Sequence, residues 1–115
     1  NLYKSGFLES EPYEWAFGPR RVIEERTYRA LVKFAGKRLE ARDFDDPLPA
    51  CLERIQRLGP MEEETVSAFL RYYGYRQKLP DLKRYYTTYK RILLKDFATR
   101  PQPFLEELYG SFLNP

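Results

Sequence analysis

The chain has 115 residues, 43% of them apolar, and a formal net charge of +3. That length suits one domain burying about two-thirds of its unfolded surface. It contains no histidine and one cysteine, Cys51. This removes the usual basis for a His/Cys metal site, for the commonest catalytic triads and for an internal disulfide. A lone cysteine fits a reducing intracellular compartment. No apolar run approaches the roughly 20 residues that a membrane span needs. The chain begins at Asn1 without an initiator methionine, as a processed form, an expressed fragment or part of a longer chain would; a removed targeting peptide would fit, with a mitochondrial location among the options.

Residues 1–18 show neither helical nor strand periodicity and are punctuated by Gly6, Pro12 and Gly18. They read as an extended aromatic arm, with Tyr3, Phe7, Tyr13, Trp15 and Phe17 available to dock on a surface of this chain or of a neighbour. Residues 19–115 read as a single helical domain. Its first helix is expected to start at Gly18-Pro19 and to stop at Gly36, with Ile23, Thr27, Ala30, Leu31 and Phe34 on one face. Residues 37–46 read as a polar loop.

Asp46-Pro47 predicts a second helix start, and Leu48, Cys51, Leu52, Ile55 and Leu58 repeat at helical spacing up to Gly59-Pro60. Cys51 lies on that stripe and reads as a buried small hydrophobe. Glu62, Glu63 and Glu64 suit the positive end of a third helix, whose buried face is Val66, Phe69, Leu70 and Tyr73. Gly74 weakens its end. Pro80 to Phe97 forms the fourth helix, with Leu82, Tyr85, Tyr86, Tyr89, Ile92, Leu93 and Phe97 on one side and cations on the other. After the break ATRPQP, a short fifth helix carries Phe104, Leu105, Leu108, Tyr109 and Phe112. The expectation is an all-α fold of about five helices, an antiparallel array of hairpins resembling an α-solenoid or an irregular bundle.

Charge is unevenly placed. Residues 71–100 hold 9 basic and 2 acidic side chains, whereas residues 1–70 hold 11 basic and 13 acidic. The candidate binding face is therefore Arg71, Tyr72, Tyr75, Arg76, Lys83, Arg84, Lys90, Arg91 and Lys95. Such a field attracts nucleic acid, an anionic lipid surface or an acidic protein, and two interleaved tyrosines could stack on bases. Asp43, Asp45 and Asp46 with Glu62 to Glu64 could in principle hold Mg²⁺, but acids at helix starts are the simpler account. No glycine-rich phosphate loop, nucleophile elbow or metal-ligand spacing is present, so no catalytic, cofactor or metal residues are assigned and an enzyme is not expected.

Successive hairpins begin at Pro47 and Pro80, 33 residues apart, close to the period of about 34 in helix–turn–helix solenoids. Within residues 62–91, Val66, Phe69, Leu70 and Tyr73 followed by Leu82, Tyr85, Tyr86 and Tyr89 resemble one pentatricopeptide- or tetratricopeptide-type hairpin. That resemblance implies a short α-solenoid of the kind used as an accessory subunit. A shorter likeness, in Tyr13-Glu14, Gly18-Pro19-Arg20, Lys33-Phe34-Ala35 and Asp43-Phe44, resembles the last wing and helix of the MAGE homology domain and implies a winged-helix adaptor. The leading expectation is a non-catalytic interaction subunit of a larger assembly, such as a mitochondrial or ribonucleoprotein complex, docking through tyrosine-rich and basic surfaces. An RNA- or DNA-binding helical domain is the alternative.

Overall fold

The computed structural model describes the backbone of residues 12–114 and the side chains of residues 22–114. The fold is all-α. It comprises α1 (Pro12–Glu40), α2 (Leu48–Leu58), α3 (Glu63–Tyr75), α4 (Leu79–Phe97) and α5 (Pro103–Leu113). Among the described residues there is no strand. The expected arm lies outside the described residues as far as residue 11, and α1 already covers 12–18. The side chains of Tyr3, Phe7, Tyr13, Trp15 and Phe17 all fall outside the described set.

The chain groups into two compact units, Asn1–Ala30 and Leu31–Pro115. In the first, α1 carries an ion pair between Arg29 and Glu25 one turn apart (3.2 Å), and Ile23 is 58% exposed rather than on a buried face. In the second, the last part of α1 buries Ala35 and Leu39, leaving Phe34 at the edge. The expected inward stripe is thus displaced. Gly36 does not stop the helix, because an interior glycine costs only about 1 kcal/mol and cannot end a helix whose next turn buries Leu39.

What stops α1 is Arg42, which takes a left-handed conformation at φ 57°. The Asp43 N–H then donates to the Arg38 carbonyl (2.9 Å), in the pattern of a Schellman turn. Gln77 (φ 60°) and Ala98 (φ 52°) end α3 and α4 in the same way, with Lys78 N–H on the Tyr73 carbonyl (2.9 Å) and Thr99 N–H on the Leu93 carbonyl (3.3 Å). These positions usually carry glycine or asparagine, since a side chain crowds the backbone there.

Helix α3 is the hub. It packs against α2, α4 and α5, and contributes Val66 and Leu70 to a core completed by Leu82, Tyr86, Tyr89, Leu93 and Leu105. Phe112 near the end of α5 meets Gly74 near the end of α3, so these two helices run in the same direction with α4 returning beside them. A methyl placed on Gly74 would sit 2.5 Å from the Phe112 ring. Gly74, next to the last residue of α3, is therefore also a packing requirement of the α3–α5 contact. Prolines begin α2, α4 and α5 within the first two positions, where a missing N–H is harmless.

Candidate interaction surface

The nine candidate residues divide into two groups. On α3 and its C-cap, Arg71, Tyr72 and Tyr75 are half-buried and Arg76 is exposed but rests on a ring of the same chain. The Arg42 guanidinium lies 3.6 Å above the Tyr75 ring, and Phe112 meets the same ring edge-on at 5.6 Å. Tyr72 is bracketed by Phe44 (6.1 Å, edge-on) and by the Arg76 guanidinium (4.9 Å). Arg71 reaches toward Gly36 of α1 and its Nε is buried. Neither tyrosine presents two open faces for a base to stack on.

On α4, Lys83, Arg84, Lys90, Arg91 and Lys95 are all exposed. Arg84 pairs with Asp81 three residues earlier (3.0 Å), and the Lys90 ammonium lies 5.4 Å from the Tyr86 ring. Lys83, Lys90, Arg91 and Lys95 have no carboxylate at ion-pair distance among the described residues. Among these cations stands Leu94, 67% exposed, with Phe97 one turn on at 57%. Phe97 was expected to face inward. It does not, because the buried stripe ends at Leu93, and α5 covers α4 through Tyr109 stacked on Tyr86 (4.2 Å between ring centres). Position 94 falls between the cations in the helical repeat and gave no apolar-stripe signal, so its exposure was not anticipated.

The tyrosines of α4 point inward. Tyr86 is fully buried, and its hydroxyl lies close to the Glu106 carboxylate without a fully formed hydrogen bond. Burial pushes its ionisation well above the ordinary tyrosine range, and the negative charge of Glu106 raises it further. Burial also raises Tyr89, with a smaller contribution from Glu63, and Tyr73, with Asp81 adding to it. The surface that α4 offers is thus cationic and aliphatic rather than tyrosine-rich.

The other chemistry-bearing residues have structural roles. The Cys51 thiol is buried, donates to the Leu31 carbonyl (3.4 Å) and is pushed up by burial, partly offset by Arg54. Such a thiol is a poor nucleophile at neutral pH. Arg38 ties the end of α1 to the following loop, donating to the carbonyls of Asp45 (3.2 Å) and Asp46 (3.1 Å) and pairing with Asp43 (3.2 Å). Glu63 and Glu64 occupy the first turn of α3. No group of three His, Cys, Asp or Glu placed to hold a metal ion occurs among the described residues. Nor is any described helix long and apolar enough to cross a membrane.

No protein-family model, curated protein or solved structure matches the chain.

Proposed function

We propose that the protein is a non-catalytic helical interaction subunit that docks onto an acidic protein surface through the outward face of α4. One observation carries this reading: Leu94 and Phe97 are largely exposed within a strip of cations, four of which lack an acidic partner among the described residues. Protein interfaces commonly combine an apolar centre with a polar rim, and unmatched charges there favour a complementary partner. The packing of α3 against α2, α4 and α5 supports a short α-solenoid of accessory type, in which α4 keeps one face clear of the other helices.

Nucleic acid is the weaker reading, because Tyr72 and Tyr75 are engaged within the chain and phosphate contacts alone would carry the binding. A photo-crosslinker at Leu94 of the full chain, expressed in its native source, tests the choice. The expected result is one acidic protein crosslinked in stoichiometric amount, and its loss in a Lys90→Glu, Arg91→Glu, Lys95→Glu variant with unchanged helical circular dichroism. Retention of the partner by that variant, or crosslinking to RNA instead, overturns the proposal.

A further inference from the structure

The end of α2, the turn after it and α4 line a half-open cavity of about 140 Å³. Its lining includes Gln56, Met61, Tyr85, Thr88, Tyr89 and Ile92. The walls are mainly apolar, and an apolar void of about 150 Å³ is large enough to accept a benzene ring. Its position relative to the charges gives it meaning. Thr88 lies at i−3 from Arg91, whose exposed guanidinium has no acidic partner among the described residues, so the mouth of the cavity opens next to a free cation on the same helix, while Glu63 lies toward the Tyr89 wall. A segment crossing α4 there meets a ring-sized apolar hole with a cation along one side.

We infer that this cavity is an anchor site for a single phenylalanine-sized side chain of an acidic partner segment, one of whose carboxylates lies on Arg91. The inference rests on the docking role proposed for α4 and adds the partner's local chemistry: a bulky apolar residue with an acid beside it. A buried ring in a well-packed pocket surrounded by polar contacts is the usual form of an interface hot spot. The charges bring the segment to the surface, and the cavity fixes its register.

The test titrates the isotopically labelled full chain with two blocked peptides, one with phenylalanine between two glutamates on each side and one with alanine in its place. The phenylalanine peptide is expected to bind at least about tenfold more tightly, consistent with an anchor worth 1.4 kcal/mol or more. Its amide shifts should centre on Met61, Thr88 and Ile92. Thr88→Trp, which fills the cavity from its rim, should bring the two peptides to equal affinity. Ile92→Ala, which enlarges the cavity, should shift the preference from phenylalanine toward tryptophan, and this second variant keeps the test decisive if the first does not fold. Equal affinity of the two peptides for the unaltered chain, or no binding of either, overturns the anchor. If the peptides bind equally while charge reversal of α4 still releases the crosslinked partner, only the anchor fails. If charge reversal leaves that partner bound, the docking role fails as well.

Discussion

Helices α3 and α4 carry the same kinds of residue, tyrosines and cations, and use them in opposite ways. In α3, Tyr72 and Tyr75 are sandwiched by Arg76, Phe44, Arg42 and Phe112, so ring and cation satisfy one another. In α4, the tyrosines enter the core and most of the cations point away from it without a partner among the described residues. The difference follows from position. A helix packed against three others has few directions left in which a long side chain can remain in water. A helix on the outside of the hairpin keeps a full face. A run of positive charge is therefore available to a partner only where the fold has not already found it a partner.

The largest expected effect tests the inward half of that contrast. Tyr86, Tyr89 and Tyr73 all have folded-state ionisation raised by burial. Below a pH of about 10, the unfolded-state value for tyrosine, the stability linked to these groups is fully present. As pH rises above that value the unfolded chain releases phenolic protons that the folded chain holds, so stability falls. Chemical denaturation across pH 8 to 12 should show cooperative loss at the alkaline end. In Tyr86→Phe the fall above a pH of about 10 should be shallower, because only Tyr89 and Tyr73 still release protons on unfolding, with neutral-pH stability changed by no more than about 1 kcal/mol. An equally steep alkaline fall in that variant would count against the burial of Tyr86.

A smaller effect tests the close approach that makes α3 the hub. Gly74→Ala should destabilise the chain by roughly 1–3 kcal/mol, because the new methyl overlaps the Phe112 ring and one of the two must move. In a Phe112→Ala background the same substitution should instead stabilise by about 1 kcal/mol, the ordinary helix preference for alanine over glycine. The reversal of sign is the measurement. A simple helix-end role for Gly74 would give the same sign in both backgrounds.

The helices and their starts were legible because they rest on local chemistry: prolines at first turns, acids at the start of α3, and apolar residues at helical spacing. The ends were less legible. Gly36 looked like a stop and is passed over, while Arg42, Gln77 and Ala98 stop helices without being glycine. In each case the deciding factor is what the next turn would bury, which is a tertiary quantity. The cations of the candidate site could be counted from the sequence. Which of them were taken could not, because the Arg42–Tyr75 and Phe112–Gly74 contacts join residues more than thirty positions apart. The cavity was hidden for the same reason, since its walls come from α2, the following turn and α4.

The smallest expected effect separates the two kinds of cation directly. Arg42→Ala removes a guanidinium seated 3.6 Å from the Tyr75 ring that also donates to the carbonyls of Leu39 (3.2 Å) and Glu40 (3.3 Å). A cation on an aromatic face contributes about 0.5–1 kcal/mol at an exposed site, so that amount of stability should be lost. Arg91→Ala removes an equal charge with no partner among the described residues, and should change stability by less than about 0.5 kcal/mol. Urea unfolding of both variants beside the unaltered chain makes the comparison, and the Tyr75→Leu background completes it. There Arg42→Ala should lose most of its cost, because the ring it rests on is gone, while Arg91→Ala should behave as before. Equal costs for the two arginines would mean that the cations of α4 are also structural, and the surface assigned to docking would then belong to the fold.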